Sequence, residues 1–172
     1  MRTSLRLLLA ATGAAALVTV VAVPANAATT STTATVAVQA GELSISAPDV
    51  LALAAAAPGS TATGTLSGVE VSDQRAGILG WATTAAISDF TSATTTTTIP
   101  ADAVGFTSST AAVEGTATVT PSDVAATSGA VQTATDVTGN NTATWDQTVN
   151  VAIPSDALGA TDYTATLTYS VL

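Results

Sequence analysis

The sequence contains no cysteine, no histidine and no lysine, and it has only three arginines. Without cysteine, no disulfide braces the chain. Without histidine, Ser-His-Asp and Cys-His nucleophile systems are excluded, and with both residues missing so are zinc sites built on imidazole or thiolate. Without lysine there is no Schiff-base chemistry and no amine for a Lys–Asn isopeptide cross-link. Two Trp, two Tyr and two Phe are the only aromatic residues, too few for an aromatic-rich cleft.

Positive charge is almost as scarce. Arg2 and Arg6 lie at the start, and beyond Ala27 only Arg75 stands against all 12 acidic residues. So acidic a chain cannot neutralise phosphates, which argues against nucleic acid and anionic lipid as partners. Its acidity serves solubility.

The first residues indicate a destination. After Arg2 and Arg6, Leu7 to Val23 is apolar, broken only by small Thr and Gly residues, and Pro24 and the small-x-small Ala25-Asn26-Ala27 follow. This is the pattern of a secretory signal peptide over 1–27, cut after Ala27. The apolar stretch is near the minimum for a membrane span, roughly 17 residues, and its Ala content, Pro24 and the cleavage site favour export. The expected mature chain, Ala28 to Leu172, is one domain long enough to bury a core. It has no second apolar span and ends at Ser170-Val171-Leu172 without a sorting signal. A secreted, extracellular protein held outside the cell by non-covalent contacts is expected, with no membrane span after cleavage.

The mature part is rich in Thr, Val and Ala in alternating segments. Thr35–Gln39, Leu43–Ser46, Thr65–Ser72, Trp81–Ile87, Thr116–Thr120, Thr144–Ile153 and Tyr163–Val171 alternate and are bounded by Gly, Pro, Asp and Ser. Period-two patterns of β-branched residues mark half-buried strands. Thr94–Thr98 reads as an edge strand. The pattern predicts an all-β fold, an immunoglobulin-like antiparallel β-sandwich of about eight or nine strands. Leu51–Ala57, closed by Pro58-Gly59, reads as a loop or short helix. Ala125–Asn141 is the least patterned stretch and is expected to carry a mobile loop. Ile99-Pro100-Ala101-Asp102-Ala103-Val104-Gly105 is echoed by Ile153-Pro154-Ser155-Asp156-Ala157-Leu158-Gly159. Pro ends a ladder, Asp accepts a local backbone bond, and the following apolar residue can tuck under the sheet, so each copy reads as a crossover between sheets.

Two segments carry a family likeness. The first is Val69-Glu70-Val71-Ser72-Asp73-Gln74-Arg75-Ala76-Gly77-Ile78-Leu79-Gly80-Trp81, continuing through Ala86-Ile87-Ser88-Asp89-Phe90; the second is Tyr163-Thr164-Ala165-Thr166-Leu167-Thr168-Tyr169-Ser170-Val171-Leu172. In order and layout, from about Gly41 onward, they resemble the WxL-type cell-surface proteins of Gram-positive bacteria. Trp81 is followed by Ala82 and Thr83, and Tyr169 and Val171 stand where that family has Trp and Leu, which makes this a divergent likeness. The resemblance implies a non-enzymatic module associating non-covalently with peptidoglycan or another cell-wall polymer, or with other surface proteins. The alternative is a structural subunit of an extracellular assembly joined through sheet edges.

Trp81, Trp145, Tyr163 and Tyr169 are the candidate ligand-binding residues. Each Trp reads either as a core plug of a sandwich or as an exposed platform for sugar rings. Tyr163 and Tyr169, six apart, share one strand face with Leu167 and Val171. No catalytic residue is assigned: the carboxylates sit beside turns, where Asp is common, and nothing marks a glycosidase pair. No cofactor or metal is assigned either. Asp136 to Asp146, with Asn140 and Asn141, offers oxygen ligands for calcium but no recognisable ligand spacing.

Overall fold

A computed structural model describes residues 29–125 and 129–172. The expected signal peptide, 1–27, lies outside the described residues. The chain divides into two units, Met1–Val36 and Ala37–Leu172. The described part of the first, residues 29–36, is exposed and has no regular secondary structure.

The second unit is all-β and antiparallel. Its strands are β1 (Leu43–Ser46), β2 (Thr61–Asp73), β3 (Trp81–Ile87), β4 (Val104–Ser108), β5 (Ala112–Pro121), β6 (Val124–Ala125), β7 (Gln132–Ala152) and β8 (Leu167–Val171). A single 3-10 turn, Ala101–Ala103, precedes β4. The spine is β7, 21 residues long. Along one edge it pairs first with β3 (Trp81↔Ala134) and then with β2 (from Asp73↔Asn141 to Thr61↔Ala152). Along the other it pairs with β5 and then with β4. The principal path runs β1-β2-β7-β3-β8. Its end strands, β1 and β8, approach each other without pairing among the described residues, so the sheet nearly closes on itself.

What lets one strand serve four neighbours is written into its bends. Asp136 and Gly139 take left-handed backbone angles (φ 52° and 70°), and β5 bulges opposite them between Gly115 and Thr118. Bulges of this kind turn a ladder and increase its twist. Inside the curve two apolar clusters form. Phe90, Ile99, Val104, Phe106, Val149 and Val151 make one; Leu66, Val69, Val71, Trp81, Val137 and Trp145 make the other. Leu51, Leu167 and Tyr169 pack against both.

Several expectations hold to the residue: Leu43–Ser46 and Trp81–Ile87 are β1 and β3, and Thr65–Ser72 and Thr116–Thr120 lie within β2 and β5. Others are corrected. Thr35–Gln39 forms no strand, and Val36 and Val38 are exposed at 89% and 81%. Of the two readings of Leu51–Ala57 the loop holds and the short helix does not: the stretch has no regular secondary structure and runs beside β2, where the Ala54 amide donates to the Thr63 carbonyl at 2.9 Å. Thr94–Thr98 is not a strand either. The Ser92 hydroxyl accepts from the amides of Thr94 and Thr95, and the Asp162 carboxylate from those of Ala93 and Thr94, so side chains take the donors a ladder needs. Ala125–Asn141, expected to carry a mobile loop, includes the first half of β7, where Asp136 and Gly139 break the period and hid the strand; residues 126–128 lie outside the described residues. The echoed motifs do make the same turn. Ala103 donates to the Pro100 carbonyl at 3.0 Å and Ala157 to that of Pro154 at 3.1 Å. The following apolar residue is buried only in the first copy: Val104 is in the core, whereas Leu158 is exposed.

The closing strand is shorter than its alternation, since β8 begins at Leu167, but Thr164 still bridges to Thr91. Tyr163, Ala165, Leu167, Tyr169 and Val171 are half-buried and the residues between them exposed. Because Leu167 is only half-buried, Leu167→Ala should cost about 2 kcal/mol, the low end for truncating a core leucine. Thr166→Ser should cost less than about 0.5 kcal/mol, as for an ordinary surface change. Urea melts of both variants check this, and equal stabilities would remove β8 from the core.

Candidate functional site: a groove at the open seam

The four aromatic candidates separate into two environments. Trp81 and Trp145 are buried, at 3% and 2% exposure. Of their two readings, the exposed platform is therefore ruled out: no sugar ring can stack on an indole that water does not reach. Each indole N–H is instead tied to a buried amide. Trp81 Nε1 donates to Asn141 Oδ1 at 3.2 Å, and Trp145 Nε1 to Gln147 Oε1 at 3.4 Å. A buried indole needs such a partner.

Around Trp81 the polar contacts continue outward. Asp73 sits at the end of β2, 1% exposed, and receives Arg75 through Nε and Nη2, both at 2.9 Å. Arg75 also donates to the carbonyls of Leu79 and Gly80, which fastens the turn leading into β3. The Arg75 guanidinium holds the Asp73 carboxyl below its ordinary range, against the opposing effect of burial. This knot fixes the β2–β3 corner; its carboxylate is fully committed and has no room to act on a substrate. Asn141 belongs to the same knot, while Asp146 accepts from the Gly68 amide, so these residues do not converge on a calcium position. Among the described residues no three acidic side chains converge to hold a metal ion.

Tyr163 and Tyr169 line a groove of about 480 Å³. It opens where the sheet fails to close, between residues 47–53, which follow β1, and residues 163–169, which lead into β8. Leu66, Ile87 and Phe90 also line it, and Asp49 is its one charged side chain. The wall at 47–53 is held close to β2 by a glycine: a Cβ on Gly64 would lie 2.4 Å from the Ala52 carbonyl oxygen. Beyond that contact the wall is unpaired. Among the described residues the backbone from Ala47 to Leu53 makes no hydrogen bond to another backbone group. On the opposite wall Tyr163 donates to the Leu158 carbonyl at 2.9 Å, and the Asp162 carboxylate, held low by the hydroxyls of Ser92 and Thr94, pins the loop behind it. The Tyr169 hydroxyl is buried without a partner, and burial pushes its pKa up to about 12. The groove itself was missed from the sequence: Leu51 and Leu53 alternate with exposed residues, but inside an Ala-rich run that hid them.

No protein-family model, curated protein or solved structure matches the chain.

Three predictions follow from this chemistry. Arg75→Ala leaves the buried Asp73 carboxylate unpaired and should destabilise the domain by about 2–4 kcal/mol, somewhat reduced from the fully buried case because Arg75 is partly exposed. Because the folded-state pKa of Asp73 is lowered, its pairing contributes stability above the unfolded value of about 3.9 and loses it as pH falls through the lower folded value. Denaturant melts of the parent and of Asp73→Asn should therefore converge as pH drops below about 4. Tyr169→Phe removes a hydroxyl that has no partner. It should leave the melting midpoint unchanged or raise it, by up to about 1 kcal/mol; a clear loss would mean that the hydroxyl is satisfied in solution.

Proposed function

We propose that the protein is an exported, non-enzymatic structural subunit at the outside of a Gram-positive cell wall, joined to neighbours through a sheet edge. The observation that carries this reading is the groove wall at 47–53, a stretch of unpaired backbone flanking a strip of Leu66, Ile87 and Phe90. An unpaired edge beside an apolar strip offers main-chain bonds for affinity and pockets for alternate side chains, which is how an added strand is recognised. The buried tryptophans, the committed Asp73 and the absent histidine support the non-enzymatic reading. The two faces of the bent sheet, meeting along β7, agree with an immunoglobulin-like β-sandwich, and the export pattern and the WxL-type likeness supply the location.

A second reading is direct, non-covalent binding to peptidoglycan. It is favoured by Tyr163 and Tyr169, which belong to the closing segment that carries the likeness and which line the groove. Purified secreted protein mixed with wall sacculi distinguishes the two. Under the assembly reading it self-associates in sedimentation without sacculi, and Tyr163→Ala leaves the amount bound to sacculi unchanged. A protein that stays monomeric alone, yet co-sediments with sacculi and loses this with Tyr163→Ala, would replace the first reading by the second.

A further inference from the structure

We propose that the segment Thr33–Gln39 of one copy inserts as an extra strand into the groove between residues 47–53 and 163–169 of a second copy. This deepens the assembly reading above by naming both the partner and the segment, and it rests on that reading.

The segment has the makings of a strand but no ladder. Thr33-Ala34-Thr35-Val36-Ala37-Val38-Gln39 alternates, with Ala34, Val36 and Val38 on one face and Thr33, Thr35, Ala37 and Gln39 on the other. Thr and Val favour a pleated, half-buried setting. Yet Val36 and Val38 are among the most exposed large apolar side chains of the described residues. Alternation with one apolar face is selected by burial, yet both valines of that face are exposed.

The groove supplies what the segment lacks. Its 47–53 wall presents unpaired amides and carbonyls, and Leu51, Leu66, Ile87 and Phe90 give an apolar lining for Val36 and Val38. Tyr169, whose hydroxyl has no partner, lines the same space. Electrostatics are compatible with this pairing. The protein carries a formal charge of −9, so copies repel one another in general. Residues 29–41 contain no charged side chain at all, and the groove contributes only Asp49. Two copies can therefore bring the neutral segment and the near-neutral groove together at low electrostatic cost.

The test uses the protein as secreted by an expressing host, with Val36→Asp/Val38→Asp as the variant. Both positions are exposed, so the monomer's circular dichroism and melting temperature should match the parent's. In sedimentation velocity over rising concentration the parent should self-associate, and the variant should do so at least tenfold more weakly. A synthetic peptide covering Thr30–Gly41 should dissociate the parent's oligomers and bind the variant. Because the chain has no cysteine, Val38→Cys and Thr164→Cys chains can also be mixed under oxidising conditions, where a mixed disulfide dimer is expected. If the parent associates and the variant associates equally well, the inserted-segment proposal falls while joining through another edge survives. If the parent is monomeric throughout, both fall. A lowered melting temperature in the monomeric variant would show that the segment already packs within its own chain, and would overturn the proposal.

Discussion

The fold depends on β7. One 21-residue strand pairs with β3 and β2 on one edge and with β5 and β4 on the other, so four of the seven strand pairings among the described residues include it. A straight strand of that length would produce a flat, wide sheet with two long edges, which is an aggregation hazard. The left-handed residues Asp136 and Gly139, with the bulges facing them on β5, bend it instead. The same strand then lines both apolar clusters, with Val137 and Trp145 in one and Val149 and Val151 in the other. A chain without disulfides has few other ways to tie distant parts of a sheet together. Here the tie is a single continuous backbone.

That solution leaves a residue of unfinished business. Bending the spine brings β1 and β8 towards each other, but β1 covers only Glu70 to Asp73 of β2, and β8 covers only Thr83 to Ile87 of β3. Past β1, residues 47–53 run beside the remainder of β2, and ahead of β8 residues 163–166 run beside Ser88 to Thr91, beyond the end of β3; the groove is the space between those flanks. The groove is thus a geometric consequence of two short end strands on a long bent spine, and not a separate feature added to the fold.

How much of this was legible in the sequence follows from which signals are local. β1 and β3 could be read to the residue because simple alternation and turn residues define them. The inward face of the closing segment could be read for the same reason, even where the hydrogen-bonded strand begins later than the alternation. The first half of β7 could not, because a bend that serves the tertiary fold looks locally like a loop. Thr94–Thr98 erred in the opposite direction, since strand propensity was overridden by the capping of its amides by Ser92 and Asp162. For the candidate site, Tyr163 and Tyr169 were found and the 47–53 wall was not. The two tryptophans were identified as special, but whether they faced in or out depended on Asn141 and Gln147, partners 60 and 2 residues away. For Trp81 no local pattern carries that information.

The buried amides also bear on why the seam can stay open without loosening the core. Asn141 and Gln147 sit on the spine and each receives an indole N–H, while Gln147 also receives the Ser108 hydroxyl at 2.8 Å and Gln132 reaches the Ser109 carbonyl at 2.8 Å. Buried polar groups of this kind add little net stability when satisfied, but they are costly when a slip in register separates them. They therefore fix β7 against β2, β3 and β4 in one alignment. Residues 47–53 are held by packing, one backbone hydrogen bond at Ala54 and the close approach at Gly64. The strongly specified interactions are concentrated on the spine, and the weakly specified ones line the groove. A sheet organised in this way can exchange what lies in its seam while its core register stays fixed, and this is the mechanical property that a subunit joined edge to edge requires.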